Sequence, residues 1–318
     1  NSFCTLLGVF FYIRMGGMQS LLKTWTVGDI PDLSGKTALV TGANSGIGYH
    51  TALQLALRGA TVLLVCRDKG RAEAALADLR KAAPKATFEL FLGDLASLAD
   101  VTRVAEAVNK RGAALDILVN NAGVMMMPKR EETADGFEKQ MGTNHLGHFA
   151  LTGRLLPSLK KSDAPRVVNV SSLMAWTGNL KAAGALDFTV PAARYHPRTC
   201  YGNSKLANLV FTNELGRRYP ELTVTAAHPG GSNTNLQQHA FNHPVVRAML
   251  QAPEVGAMPS LKSATMPGLK SGAYFGPWVF GSCGTPSNLS AIMPPQAHDA
   301  DLGRRFWAAS VEATGVQY

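Results

Sequence analysis

Residues 37–48 read TALVTGANSGIG. The first five, Thr37 to Thr41, are β-branched or apolar and read as a buried strand. Glycines follow at 42, 46 and 48, and GIGYHTALQLALRG then runs with helical spacing. Glycine permits a tight turn and lets backbone approach a partner closely. A helix that starts at such a turn points its free N–H groups and its dipole at whatever lies beyond, and both favour negative charge. The stretch reads as the pyrophosphate cradle of a dinucleotide site, formed by Gly42, Asn44, Ser45, Gly46, Ile47 and Gly48. The spacing is G-x-x-x-G-x-G, not the commoner G-x-G-x-x-G.

Outward from this turn, short apolar runs alternate with helical patterns. Further strands are expected in TVLLVC (61–66), TFELFLGD (87–94), LDILVNNAG (115–123), RVVNVSS (166–172) and LTVTAAHPG (222–230), with a weak one in GAYFG (272–276). Strands that are apolar on both faces and separated by helices imply a parallel sheet covered on both sides. The expected architecture is a single doubly wound α/β domain of Rossmann type, with a parallel sheet of about seven strands. It spans 34–318, with an arm at 1–33 before it. Residues 231–270, rich in Gly, Pro, His and Met, break the alternation and read as a flap over a site.

The chain has 318 residues, of which 46% are hydrophobic, enough for a substantial core. Its net charge of +9 is scattered: Lys160–Lys161, Arg217–Arg218 and Arg304–Arg305 are isolated pairs. No nucleic-acid partner is expected, since that needs clustered charge. A basic balance suits an anionic cofactor or an anionic surface. Cys4, Cys66, Cys200 and Cys283 form no Cys-x-x-Cys pair and stand at no zinc spacing from His. They read as reduced thiols of an intracellular reducing compartment, cytosolic or organellar, and no metal site is expected. The apolar run FCTLLGVFFYI at 3–13 is shorter than the roughly 20 residues a bilayer span needs. Three readings stand for it: the tail of a signal or anchor, a membrane contact, or a processed leader.

Three more constellations lie at strand ends. At VCRDKG, Cys66 stands where a ribose-binding carboxylate is usual, and Arg67 follows. A neutral residue and a forked guanidinium favour a 2′-phosphate, hence NADP(H) over NAD(H). Asp68 would blur that preference if it pointed inward. At NNAG, Asn121, Ala122 and Gly123 let a ring pack on backbone, and Asp94 with Leu95 falls near the adenine. The last set is Asn144, Ser172, Tyr201 and Lys205. Tyr201 and Lys205 share a helix face one turn apart. A free phenol titrates near 10, but a nearby ammonium and a positively charged nicotinamide lower that value. Tyr201 then gives or takes the alcohol proton, Ser172 hydrogen-bonds the substrate oxygen, and Lys205 also holds the nicotinamide ribose. His145 and His148 in NHLGH lack partner ligands and read as packing or supporting residues.

TGANSGIG, NNAG, NHLGHF, NVSS, YGNSK and HPG, in this order, resemble the short-chain dehydrogenase/reductase family. The likeness is narrower, to the retinol dehydrogenase-like branch, in NHLGHFALTGRLLP and YGNSKLANLVFTNEL. That branch includes relatives of a chloroplast-envelope translocon component, so the chloroplast is among the compartments implied. The resemblance maps the catalytic tetrad onto Asn144, Ser172, Tyr201 and Lys205, with Asn144 holding a water in a relay to Lys205. It places Pro229 and Gly230 near the nicotinamide ring and Thr234 near its carboxamide. It implies homo-oligomers built through the helices that carry Asn144 and Tyr201. Residues 173–200 and the flap match least well. The flap is apolar and Met-bearing, which points to a lipophilic substrate. The expected activity is NADP(H)-dependent interconversion of a carbonyl and an alcohol on a retinoid, steroid or long-chain aldehyde or ketone. A cofactor-binding subunit of a larger, membrane-associated assembly and a C=C reductase are the alternatives.

Overall fold

A computed structural model describes residues 24–233, 250–279 and 283–318. Its strands are β1 (Thr37–Thr41), β2 (Thr61–Cys66), β3 (Phe88–Leu92), β4 (Ile117–Asn120), β5 (Arg166–Val170), β6 (Thr223–Ala227), β7 (Tyr274–Val279) and β8 (Cys283–Asn288). They form one sheet in the order β3-β2-β1-β4-β5-β6-β7-β8. Neighbours are parallel except β7 and β8, which are antiparallel. Among the described residues the sheet thus has eight strands, where about seven were expected. The extra strand, CGTPSN, contains glycine and proline, which are depleted in strands. It is tolerated because it lies at the sheet edge.

The principal helices are α1 (Gly46–Leu57), α2 (Lys69–Ala82), α3 (Leu98–Lys110), α4 (Gly147–Leu159), α5 (Pro197–Arg218), α6 (Pro253–Thr265) and α7 (Ala300–Thr314). Side chains along each strand alternate between faces. Ala38, Val40, Val62 and Leu64 pack with Leu55 of α1, Leu79 of α2 and Leu261 of α6. Leu39, Leu63 and Val65 pack on the other side with Val104 of α3, Phe149 of α4 and Phe211 of α5. Both faces are therefore covered, and each such Leu or Val contributes about 1.5–3 kcal/mol by leaving water.

Part of the arm and part of the flap belong to the core. Trp25, Ile30 and Leu33 are buried against the first of these layers, as are Ala257, Leu261 and Ala264 of α6. The flap expected over 231–270 is therefore narrowed: α6 has one apolar face on the sheet layer. Residues 234–249 lie outside the described residues, as does the apolar run at 3–13. Among the described residues no helix is long and apolar enough to cross a membrane.

α4 is entered through a π-helical turn at Gly142–Leu146. α7 closes the far side of α4 and α5. Its Trp307 ring lies 5.1 Å from Phe149 and 6.0 Å from Phe211, and Tyr318 beyond it lies 4.5 Å from Trp307. The helices named above for a homo-oligomer carry this cover from their own chain. At the sheet centre, β1 has β2 on one side and β4 on the other. The winding reverses there, and a crevice opens at the C-terminal strand ends.

Candidate active site

The crevice holds a cleft of about 570 Å³. Gly42 to Gly48 form its floor at the end of β1. Ser45 is the N-cap of α1 but its side chain makes no cap bond, and the first turn carries no acidic residue. α2, α3 and α7 are instead capped by the side chains of Asp68, Ser97 and Asp299. The N–H groups of α1 stay available to an anion. Two glycines are compulsory here. Gly42 has φ 68°, and a Cβ on Gly48 would fall 2.3 Å from the Gly42 carbonyl oxygen.

At the β2 end, the Cys66 thiol is buried beside the backbone of Ala43 and Asn44. Burial pushes it up to about 11, and the neighbouring backbone pulls it back. Asp68 lines the cleft as well, and its Oδ1 accepts Arg71 N–H at 2.9 Å as the cap of α2. Those bonds, the Arg71 N–H first, hold its carboxyl below the usual range. Arg67 Nη1 stands 3.6 Å from Asp94 Oδ2, and both line the cleft with Leu95. Arg71 lines it too, a second guanidinium that the sequence reading missed. Its signal is the Asp-x-x-Arg spacing at a helix start.

One hydroxyl fixes the NNAG turn. Thr41 Oγ1 accepts the N–H of Asn121 and of Ala122, each at 2.9 Å. It lies 2.8 Å from His148 Nε2, while His148 Nδ1 lies 3.0 Å from the main-chain oxygen of Asn144. A carbonyl only accepts, so the His148 proton sits on Nδ1 and Nε2 accepts from Thr41. Burial drives His148 down to about 4, so it is neutral at physiological pH. Buried His145, brought down to about 3 by burial, bonds Ser310 Oγ at 3.1 Å and packs among Phe149, Phe211 and Phe306.

Two residues of the last constellation, Asn144 and Lys205, meet at Gly123. A Cβ on Gly123 would lie 2.9 Å from Asn144 Oδ1 and 3.7 Å from Lys205 Nζ. The Asn144 amide is fully engaged: Nδ2 donates to Val124 O and Ser204 Oγ, each at 2.9 Å, and Oδ1 accepts Val124 N–H at 2.8 Å. Lys205 Nζ donates to Val170 O at 3.0 Å and lies 5.8 Å from the Tyr201 ring centroid. Ser172 favours the ionised form of the Tyr201 phenol, whereas Ser171 Oγ donates to Lys205 O at 2.7 Å and anchors α5.

The expected lowering of Tyr201 by Lys205 is not found in the folded chain. Burial pushes the phenol up to about 12, with Ser172 pulling it back, and burial brings Lys205 down to about 8. Desolvation penalises both charged forms, and the ammonium is spent on a backbone carbonyl. At neutral pH Tyr201 keeps its proton and most of Lys205 keeps its charge.

Tyr201, Lys205, Pro229, Asn121, Ala122 and Gly123 line the cleft; Asn144, Ser172 and Gly230 are not among its lining residues. Thr234 lies outside the described residues. The wall also includes Val124, Met125 and Met127, which the sequence reading did not single out.

The description short chain dehydrogenase matches residues 36–184. Retinol dehydrogenase 13 of Homo sapiens is 37% identical over 322 residues, covering 95% of this chain and 93% of that protein. The chain belongs to the short-chain dehydrogenase/reductase family. It is an oxidoreductase of the alcohol/carbonyl type, and the family uses nicotinamide cofactors. Retinol dehydrogenase 14 of Homo sapiens is 37% identical, covering 91% of this chain and 89% of that protein. Among solved structures, an uncharacterized protein from Mycobacterium paratuberculosis superposes with TM-score 0.77 at 38% identity, covering 93% of this chain and 99% of that one. The RhlG/NADP active-site complex of Pseudomonas aeruginosa superposes with TM-score 0.60 at 27% identity, covering 76% of this chain and 94% of that one.

Proposed function

We propose that this chain interconverts a carbonyl and an alcohol on a lipophilic substrate with NADP(H), using Tyr201 as the proton donor and acceptor. The observation that carries the reading is the buried Tyr201–Lys205 pair on α5, beside Ser172, at the mouth of a cleft whose floor is an uncapped helix N-terminus. The glycine floor and free α1 N–H groups suit a pyrophosphate. Arg67 and Arg71, with the neutral Cys66, suit a 2′-phosphate better than a free ribose hydroxyl. NADP(H), when bound, supplies or accepts the hydride.

The chain's own residues supply the rest. Ser172 and the Tyr201 O–H hold the substrate oxygen where charge develops. In reduction, Tyr201 donates its proton to that oxygen, and the Lys205 ammonium stabilises the phenolate left behind. Asn144 shapes the site through Val124 and Gly123, and its main-chain oxygen takes the His148 Nδ1 proton. In alcohol oxidation Tyr201 takes the proton back. The retinol dehydrogenase relatives and the apolar Val124–Met127 stretch support a lipophilic substrate of retinoid or long-chain type.

The test is a panel of apolar aldehydes and ketones assayed with NADPH and with NADH. Turnover is expected with NADPH, and Tyr201→Phe is expected to lower kcat/KM by about 10²–10⁴-fold. Unchanged turnover in Tyr201→Phe would remove the mechanism.

A further inference from the structure

Among the described residues, Met126 (φ 48°) and Val190 (φ 45°) are the non-glycine residues in the left-handed region. That region is costly for a β-branched or bulky side chain and persists only where surroundings over-determine it. The two residues lie in different loops, after β4 and after β5, and each is gripped at its own peptide. Met126 N–H donates to Gln140 Oε1 at 2.7 Å. Val190 O accepts from Arg130 Nε at 2.7 Å, while Arg130 Nη2 donates to Thr189 O at 2.8 Å.

The grips cross from one loop to the other. Arg130 belongs to the first loop and holds the second. Tyr195 belongs to the second, and its O–H donates to Met127 O in the first. Gln140, fully buried, also donates through Nε2 to Pro197 O at 3.1 Å, and Glu138 N–H donates to Phe188 O at 2.7 Å. Gln140 is itself held by buried Glu138, whose Oε1 accepts Gln140 N–H at 3.0 Å. Between Val124, fixed by Asn144, and Met127, fixed by Tyr195, the chain puts Val124, Met125 and Met127 on the cleft wall. Glu131 and Lys139, neither of them buried, also reach the cleft, so the apolar stretch is bounded by charge.

We propose that the loops 124–132 and 187–197 form one latched unit that sets the substrate end of the cleft. Arg130, Gln140 and Tyr195 are its positioning residues, and Met125 and Met127 select long, apolar, conformationally varied carbonyl substrates. Thioethers suit that task because they repack around different shapes. The selection part rests on the carbonyl–alcohol reading above; the latch itself does not.

The test uses the full chain with Arg130→Gln and Tyr195→Phe, neither of which removes an acid/base group. Hydrogen exchange reads the latch. Each variant is expected to speed exchange in both loops, including the loop that does not carry the substitution. Steady-state kinetics on straight-chain aldehydes of increasing length read selection. KM is expected to rise about fivefold to tenfold for the longest aldehydes, with kcat on the shortest and the NADPH dissociation constant unchanged. Faster exchange confined to the substituted loop overturns the latch. A latch that opens while the length profile stays flat overturns the selection role, and so does a parallel loss of NADPH affinity, which marks a general loosening. If the unaltered chain turns over no aldehyde, the carbonyl reading falls and selection with it, whereas hydrogen exchange still decides the latch.

Discussion

The two ends of the cleft are held by different means. At the glycine turn, positions follow from main-chain geometry: a strand end, a positive-φ glycine, an uncapped helix and one threonine hydroxyl that takes two N–H groups. At the loops after β4 and β5, positions follow from side chains that grip strained peptides across the chain. On the proposed reading, the first arrangement serves the cofactor and depends on little but backbone. The second can change with a few side chains, which is where substrate choice can vary while the frame stays fixed.

The difference can be broken most strongly at the residue both ends share. Lys205→Met is expected to lower kcat/KM about a hundredfold for every substrate length. In the unaltered chain, carbonyl reduction should hold below about pH 8 and fall above it, because burial brings Lys205 down to about 8. The variant should lack that limb. The stability sign is opposite to that of a group raised on folding. With Lys205 lowered from 10.5 to about 8, folding disfavours its charge, so stability should rise between those values and the rise should vanish in the variant.

A smaller effect should sharpen the contrast at the adenosine end. Arg67→Gln is expected to raise the KM for NADPH by about tenfold or more and leave that for NADH unchanged, with the aldehyde length profile intact. The mildest change in activity is expected from Thr41→Val. It strands the N–H groups of Asn121 and Ala122 and removes the donor to His148. We expect a loss of about 1–3 kcal/mol by thermal melting, a weaker hold on NADPH and, again, an unaltered length profile. A changed profile would mean that the two ends are not separable.

The sheet and the glycine-turn end of the cleft were readable because their signals are local. A strand, three glycines and a helix start sit within residues 37–48, and NNAG follows its strand directly. Tyr201 and Lys205 were readable as a helical pair. The eighth strand was not, because CGTPSN lacks strand-forming residues and pairs only by its place at the edge. The role of α6 was hidden because its Pro253 and Pro259 and its neighbours read as irregular chain, whereas Ala257, Leu261 and Ala264 fit one buried face. Arg130, Gln140 and Tyr195 carry no spacing that would pair them with Val190, Met126 and Met127. Without a nicotinamide the Tyr201 phenol is shifted upward, which was not readable because charge proximity is visible in a sequence and desolvation is not.

α7 has a consequence in time. Phe306, Trp307 and Tyr318 cover α4 and α5, the second of which carries Tyr201 and Lys205. A ribosome adding about 5–20 residues per second needs roughly 6–23 seconds to go from Lys205 to Tyr318. Through that interval the glycine turn already has its strands, while Phe149 and Phe211 still face water. The half that carries the glycine turn is complete first, and the helix that carries Tyr201 and Lys205 is clamped last. A chain cut short within 300–318 would therefore offer an aromatic patch to chaperones and proteases before it could offer a working site.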